Sequence, residues 1–167
     1  MAVDASNAEA IARLQALKGR GSSAPFGLIA GTLELAKACT GTWPSSAEAL
    51  ASQHWPGPLT MILPPNAGTL DALLGPTGGV GVRVSSAPQV TWLATELGRA
   101  ITATSANPTG KAPAATLAEA KSYFGAQVDF YLDGGACKGV ASTLVSFDEE
   151  GQPQVLRQGP IVLPAPA

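Results

Sequence analysis

The sequence predicts one domain of the α/β (α+β) class, built on a single sheet with mixed strand directions. Short apolar segments rich in β-branched residues alternate with segments of helical periodicity, and the chain ends in a pair of strands. A length of 167 residues with 46% hydrophobic residues suits a single core. No repeat or linker divides the chain, so residues 1–161 form one predicted domain and residues 162–167 a tail.

Five helices are predicted from apolar residues at helical spacing and from capping residues. Ser6 and Glu9 form a capping box before the first helix, and Ser45 and Glu48 form another before the third. Thr116 has the same place before the last helix. The predicted helices cover residues 7–17, 33–39, 47–53, 90–97 and 116–124, with one or two helical turns at 69–74.

Seven strands are predicted where short apolar segments lie between glycine, proline and other turn-forming residues. They cover residues 26–30, 59–63, 79–84, 100–103, 128–132, 142–147 and 154–157. The acidic turn Asp148–Gly151 joins the last two strands into a pair.

The composition excludes several classes of protein. No apolar stretch approaches 18 residues and no secretory signal follows Met1, so the sequence predicts a cytoplasmic chain without a membrane span. Cys39 and Cys137 are isolated, which is typical of a reducing compartment. The only histidine, His54, cannot build a metal site, and no Walker A or Gly-x-Ser-x-Gly motif is present. A net charge of −2 argues against a generic nucleic-acid binder.

Only 13% of the residues are charged, so a cation beside glycines or hydroxyls is informative. Lys18 and Arg20 follow the first helix in a segment of glycines and serines, which suits phosphate oxygens. The alternative is that both cations complement the negative end of the helix dipole. A second candidate is Arg83, which alternation places with Gly81 on one face of a strand. The glycine leaves room for a ligand carboxylate or phosphate, whereas an edge strand would simply expose the arginine to water.

The third candidate is the polar segment Thr102–Asn107, at the carboxyl end of a predicted strand. Ligands bind at such strand ends in open α/β sheets, and small polar side chains allow close approach to the backbone. The alternative is an ordinary turn, since the same residue types favour turns.

Taken together, seven motifs resemble the YrdC/TsaC family, the threonylcarbamoyl-AMP synthases. The resemblance extends from about Ala2 to Ile161, and the order of the motifs makes chance similarity very improbable. In chain order they are Lys18-Gly-Arg20, His54-Trp-Pro-Gly-Pro-Leu-Thr60, Val80-Gly-Val-Arg83-Val84, Ile101-Thr-Ala-Thr-Ser-Ala-Asn107, Asp133-Gly-Gly135, Ser142-Thr-Leu-Val145 and Val155-Leu-Arg157-Gln-Gly159.

The resemblance implies an open, twisted mixed sheet flanked by helices, with a deep central cavity. It implies condensation of L-threonine, bicarbonate and ATP to threonylcarbamoyl-AMP and pyrophosphate, for threonylcarbamoyladenosine modification of tRNA by downstream transfer machinery. The residues implied to bind ATP and its phosphates are Lys18, Arg20, Asn107, Thr116 and Arg157. The residues implied to bind threonine or its carbamate are Arg83, Ser105 and Ser142. Such a site needs no dedicated general base, because positioning and charge neutralisation, with Mg²⁺ bridging the phosphates, can do most of the work.

The sequence departs from this family in two places. The family's first strand, with Pro-Thr-[Asp/Glu]-Thr and Tyr-Gly-Leu, does not precede Val3 here, so its neighbour in the sheet is expected to have unpaired backbone groups. Ile29 stands where the family tends to have a histidine, and it cannot hydrogen-bond a substrate. Either the true start lies upstream of Met1, or the chain is a degenerate paralogue with impaired catalysis. An upstream start is the favoured explanation of the missing strand, but it does not explain Ile29.

Two other functions remain open from the sequence. A non-catalytic member could use the same cations to bind structured RNA such as tRNA or a double-stranded RNA, provided that they share one face. A carbamoyl-transfer domain like that of hydrogenase maturation proteins would need a larger chain.

Overall fold

The computed structural model describes residues 1–19, 25–136 and 139–163. In these ranges the chain forms five α-helices and six strands. The helices are α1 (Ala8–Lys18), α2 (Leu33–Ala38), α3 (Ser45–His54), α4 (Pro88–Leu97) and α5 (Leu117–Phe124), with 3₁₀ turns at Asp71–Leu73 and Gly125–Gln127. The strands are β1 (Gly27–Ala30), β2 (Leu59–Leu63), β3 (Val80–Val84), β4 (Ile101–Ala103), β5 (Thr143–Phe147) and β6 (Pro153–Arg157).

The strands form one mixed sheet in the order β4-β1-β3-β2-β5-β6. The pairs β1–β3 and β2–β5 are parallel, and the other three pairs are antiparallel. This confirms the predicted fold class. It also places β3 in the interior of the sheet and β6 at one end.

One face of the sheet carries the main core. Residues alternate between buried and half-exposed along β2 and β3, so that Met61 and Val82 face the core and their neighbours face the other side. Helices α1, α2 and α3 contribute to this core through Ile11, Leu14 and small alanines. On the opposite side, the half-exposed residues of β3, β2 and β5 form what we call the open face.

Helix α4 packs on the same side as the open face, but at the β4–β1 end of the sheet. There Ala94 of α4 forms a small apolar cluster with Ile29 and Ile101. A Cβ atom on Gly31 would lie 2.6 Å from the backbone nitrogen of Thr95, so glycine at this position lets the helix backbone approach the end of β1. Ile29 is only 6% exposed in this cluster, and its role here is packing.

The outer edge of β4 is covered by the beginning of the chain. Thr102 N donates to Val3 O at 2.8 Å, and Thr104 N donates to Met1 O at 3.2 Å. Asp4 forms an antiparallel bridge with Ile101. Residues 1–4 therefore supply a short partner for β4, so β4 is not a strand whose outer backbone groups are left unpaired.

The structure corrects the predicted strand at residues 128–132, which form no regular element. Phe130 is 73% exposed, so the segment does not turn an apolar face to the core. Its anchors are side chains instead: Arg13 pairs with Asp129, and Tyr131 Oη donates to Gly125 O. A second correction concerns the start of α1, which is capped by Asn7, because Ser6 bonds to Asp4 instead.

The predicted capping box before α3 is also wrong, since α3 begins at Ser45 after Pro44, without a side-chain cap. By contrast, the predicted cap of α5 is confirmed: Thr116 Oγ1 accepts from Glu119 N at 3.2 Å. No helix in the described part of the chain has the length and apolar character needed to cross a membrane.

Candidate active site

Arg83 lies on the open face in the interior of the sheet. Its strand is flanked by β1 and β2, so the alternative of an edge-strand arginine is wrong. Within residues 1–19, 25–136 and 139–163, the Arg83 side chain has no hydrogen bond and no ion pair. Burial lowers the pKa of Arg83 below its ordinary value, and the nearby charge of Arg157 lowers it further. A half-buried cation in this environment favours an anionic ligand.

Arg157 and Ser142 form a hydrogen-bonded pair beside Arg83. Arg157 donates to Ser142 O from Nε at 3.1 Å and from Nη2 at 3.0 Å, and Nη2 lies 3.3 Å from Ser142 Oγ. Thr60 completes the group, since its Oγ1 lies 2.7 Å from Ser142 Oγ. The three side chains come from β6, from the residue before β5 and from β2, which are adjacent in the sheet.

The end of β6 is held in place by Thr143 and Gly159. The fully buried Thr143 hydroxyl accepts from Gly159 N at 3.1 Å and from Ile161 N at 3.0 Å, and donates to Ile161 O at 2.8 Å. A Cβ atom on Gly159 would clash with the backbone of Ala141, Ser142 and Thr143. Glycine is therefore required at this position for the chain after Arg157 to lie against the start of β5.

A second polar cluster joins the end of α1 to the segment after β4. The Lys18 side chain is almost fully buried, and its Nζ donates to Ser105 O at 2.6 Å and to Asn107 Oδ1 at 3.2 Å. Ser105 Oγ lies 3.5 Å from the same nitrogen, while Ser105 itself is exposed. For Lys18, the alternative of a cation that only complements the helix dipole is wrong, because its ammonium group is bound by this loop.

The amide of Asn107 holds the same loop together. Its Nδ2 donates to Pro108 O at 3.1 Å and to Lys111 O at 2.7 Å, while its Oδ1 accepts from Lys18. Thr109 N in turn donates to Lys18 O at 2.7 Å. Lys18 and Asn107 therefore shape the loop that presents Ser105, and this segment is more than an ordinary turn.

The two clusters lie at opposite ends of a short path across the sheet. Ala103 lies two residues before Ser105 and pairs with Gly27. The register of β1 with β3 places Gly27 beside Gly81. Strand spacing and rise then put the backbones of Ser105 and Arg83 roughly 15 Å apart. Because Gly27 and Gly81 have no side chains, they leave the sheet backbone uncovered between Ser105 and Arg83. This path suits an elongated ligand with negative groups.

Two further residues, Thr116 and Arg20, are predicted to bind ATP. Thr116 is exposed, and its hydroxyl caps α5. Arg20 lies outside the described residues. The described residues contain no group of three or more histidine, cysteine, aspartate or glutamate side chains that could hold a metal ion.

The implied deep cavity is not shown. Two depressions of about 430 and 210 Å³ lie elsewhere, the first beside Arg13 and Gln127 and the second beside Thr32 and Trp55.

Thr60 is the member of the site that sequence reasoning did not assign. Alternation along β2 contains the signal, because it places Thr60 on the face opposite the buried Leu59 and Met61. The register then makes Thr60 a neighbour of Arg83, since Met61 pairs with Val82. The missing information was the order of the strands, which brings Ser142 next to Thr60.

Comparison with known proteins gives concordant results. The model of the Sua5/YciO/YrdC family, described as "Telomere recombination", matches residues 1–159. A threonylcarbamoyl-AMP synthase of Halorhodospira halophila is 34% identical over 131 residues, which cover 78% of this chain and 69% of that protein. Another, of Idiomarina loihiensis, is 45% identical over 86 residues, or 50% of this chain and 46% of that protein.

Solved structures agree with the fold. The crystal structure of P. abyssi Sua5 complexed with L-threonine has a TM-score of 0.85 and 30% identity, and the match covers 95% of this chain and 46% of that one. This chain therefore spans about half the length of that protein. E. coli YciO, at 23% identity and a TM-score of 0.81, shares the fold. On the family match and these similarities, the chain belongs to the Sua5/YciO/YrdC family.

Proposed function

We propose that this chain synthesises L-threonylcarbamoyl-AMP from L-threonine, bicarbonate and ATP and releases pyrophosphate. The observation that carries the proposal is Arg83, a half-buried cation with no anionic partner among the described residues, beside Arg157 on the open face. All the ligands of this reaction bear negative groups. The names of the relatives and the threonine complex of P. abyssi Sua5 support the same reaction.

The reaction needs two bond-forming steps. The threonine amine adds to bicarbonate with loss of water, which gives an N-carboxy-threonine, a carbamate. A carbamate oxygen then attacks the α-phosphorus of ATP, and the bond from that phosphorus to the bridging oxygen of pyrophosphate breaks. Since two anions must meet, the residues contribute chiefly by neutralising charge and aligning the reactants.

In this proposal the cluster around Arg83 binds the threonine half. Arg83 binds the carboxylate, because a guanidinium group can donate two parallel hydrogen bonds to it. The Ser142 hydroxyl donates a hydrogen bond to the carbamate group. Ser105, exposed at the end of the bare strip of backbone, contacts threonine from the other side.

The nucleotide half is bound by the remaining predicted residues. Arg157 neutralises phosphate oxygens from its position on Ser142, and Lys18 and Asn107 hold the loop against the nucleotide, with Arg20 and Thr116 as further contacts. Mg²⁺ enters as part of the substrate MgATP: phosphate oxygens are its usual ligands, and the described residues offer no carboxylate cluster of their own. Its chemistry there is to offset the charge of the phosphates.

The product is a mixed anhydride, an activated acyl group that a transfer enzyme must consume. We propose that the downstream step is the threonylcarbamoyl transfer to tRNA that the family resemblance implies, and that both steps occur in the cytoplasm, where ATP and tRNA are available. tRNA itself is then a partner of the transfer machinery.

The test is the reaction itself. The purified chain, incubated with MgATP, bicarbonate and L-threonine, is expected to release pyrophosphate and to form threonylcarbamoyl-AMP, identified by mass spectrometry. Each product must depend on both threonine and bicarbonate. Alanine in place of threonine serves as the substrate control.

A different result would contradict the proposal. Binding of ATP without pyrophosphate release under any of these conditions would indicate the degenerate, non-catalytic member. Salt-sensitive binding of tRNA in the absence of turnover would indicate the RNA-binding alternative.

A further inference from the structure

The Thr60 hydroxyl is hydrogen-bonded to the Ser142 hydroxyl, and the proposed reaction has so far given Thr60 no role. Among the described residues, the Thr60 hydroxyl has one hydrogen-bond partner, Ser142 Oγ, at 2.7 Å. Ser142 Oγ also receives a donor from Arg157, with Nη2 at 3.3 Å. The Ser142 hydroxyl is thus placed between Thr60 and Arg157.

The number of protons available shows which group donates in each hydrogen bond of Ser142. A hydroxyl group has one proton and two acceptor lone pairs, and a guanidinium group can only donate. If Thr60 also donates to Ser142, both lone pairs of Ser142 are occupied and its proton is free for a ligand. The opposite direction would direct the Ser142 proton to Thr60. An anionic ligand oxygen is a stronger acceptor than a neutral hydroxyl, so a bound anion selects the first arrangement.

The position of the Thr60 methyl group fixes the side chain in this orientation. Thr60 Cγ2 lies on the side of β3, since a Cβ atom added to Gly81 would meet it at 3.6 Å. β3 and β5 flank β2 on opposite sides. With the methyl group toward β3, the hydroxyl points to Ser142 beside β5, and a β-branched side chain in a strand rarely leaves its rotamer.

We propose that Thr60 is a positioning residue, which donates to Ser142 Oγ and so directs the Ser142 proton to an oxygen of the threonine-derived substrate. This inference rests on the function proposed above. Thr60 acts only through Ser142 and need not touch the substrate. Its loss should therefore weaken the threonine half of the site more than the nucleotide half.

The experiment measures KM for threonine and for ATP in Thr60→Val, Thr60→Ser and Ser142→Ala, and in the double variant of Thr60→Val with Ser142→Ala. Thr60→Val keeps the shape and removes the hydroxyl, so KM for threonine is expected to rise about three- to tenfold, the effect of one neutral hydrogen bond. KM for ATP is expected to stay within about twofold. Thr60→Ser keeps the hydroxyl and should recover most of the loss.

The double variant decides whether Thr60 acts through Ser142. Once Ser142 is alanine, removing the Thr60 hydroxyl should have no further effect, whereas independent roles would give multiplied effects. Thr95→Val is the matched control, because among the described residues the Thr95 hydroxyl bonds only within α4, to Thr91 O. If Thr60→Val does not fold, Thr60→Ala must show the same dependence on Ser142.

The possible failures are distinguishable. An unsubstituted chain that forms no threonylcarbamoyl-AMP overturns this inference together with the proposed function. An active chain in which Thr60→Val equals the unsubstituted protein, or in which its effect multiplies with that of Ser142→Ala, overturns the inference alone.

Discussion

Arg83 and Arg157 bring two positive charges to one face of the sheet, and the charge of Arg157 adds to burial in lowering the pKa of Arg83. The register explains why they are near each other. Arg83 and Thr60 are neighbours on β3 and β2, Thr60 pairs with Leu144 on β5, and Leu144 pairs with Arg157 on β6. Two like charges held together in the free protein oppose folding, and a bound anion would relieve that repulsion.

Replacing Arg83 should therefore separate stability from activity. Arg83→Met removes a half-buried cation next to another cation, so we expect the free energy of unfolding to be unchanged or to rise by about 0.5–1 kcal/mol. In the role proposed for Arg83, the same change removes a charged hydrogen bond to the threonine carboxylate, and KM for threonine should then rise about 10- to 100-fold. Chemical denaturation and steady-state kinetics measure the two effects.

Arg13→Met is the control for Arg83→Met. Arg13 is also an arginine, but it lies on the surface and pairs with Asp129 away from the open face. Its replacement should leave KM for threonine unchanged. A large loss of stability in Arg83→Met would show that Arg83 is a structural residue and would contradict the assignment.

Asn107 is expected to behave in the opposite way, because its amide is built into the loop. Asn107→Ala removes an acceptor from the buried Lys18 ammonium group and two donors from the carbonyls of Pro108 and Lys111. The free energy of unfolding should fall by about 1–3 kcal/mol, and activity should fall with it. Thermal denaturation followed by circular dichroism measures the first effect.

Thr109→Ala is the comparison within the same loop. The contact of Thr109 with Lys18 is made by its backbone nitrogen, which the substitution keeps. Its melting temperature should stay close to that of the unsubstituted chain. If Asn107→Ala is equally stable, the amide does not hold the loop.

The local part of the fold could be predicted from the sequence. Short apolar segments between turn-forming residues identified β2 and β3, and alternation along 79–84 placed Arg83 on the face opposite Val82, because the side-chain direction in a strand depends only on position parity. The segment 128–132 is likewise short and mostly apolar, but it pairs with no strand in the described part of the chain, so the local pattern failed there. A strand is stable only when it is hydrogen-bonded to another strand, and the local composition does not show whether such a partner is present.

The contacts that build the site are a different matter. Lys18 bonds to residues 87 and 89 positions away, and Thr60 bonds to a residue 82 positions away. Periodicity carries no information about such pairs, whereas the order of the family motifs did group these residues. Even so, the motifs could not show that Lys18 is buried in its loop or that Thr60 bonds to Ser142, since both depend on the register of the assembled sheet.

Cys39 gives a prediction about pH. Burial raises the pKa of the Cys39 thiol from 9.0 to about 11. Between these values the unfolded chain loses this proton and the folded chain keeps it, so stability from this group is complete below pH 9 and is lost as the pH rises toward 11. We expect the loss to be about 1–3 kcal/mol. The measurement is the free energy of unfolding as a function of pH for the unsubstituted chain and Cys39→Ala.

The difference between the two proteins is informative, because other groups that titrate at high pH contribute to both. The free energy of unfolding of the unsubstituted chain minus that of Cys39→Ala should be constant below pH 8. Above pH 9 this difference should fall, because only the unsubstituted chain loses stability through Cys39. The folded thiol should also react with iodoacetamide at pH 8 roughly a hundredfold more slowly than an exposed thiol, as mapped on the Cys39 peptide. A difference that does not vary with pH would show that the folded thiol titrates normally.

Gly159 links the stability of the β5–β6 end to the position of Arg157. Gly159→Ala would place a Cβ atom 2.5 Å from Ala141 O and 2.6 Å from the carbonyl carbon of Ser142, so the chain must move away from β5. The hydrogen bonds from Gly159 N and Ile161 N to the buried Thr143 hydroxyl would then be lost, and we expect the free energy of unfolding to fall by about 2–4 kcal/mol.

Because Arg157 is two residues before Gly159, the same substitution should weaken the hydrogen bonds of Arg157 to Ser142, and KM for ATP should rise. Gly134→Ala is the control, since a Cβ atom there would meet no described atom within 4 Å and the substitution should change neither quantity. An unchanged melting temperature in Gly159→Ala would show that the segment adapts without cost, and the close packing on Thr143 would then not be what positions Arg157.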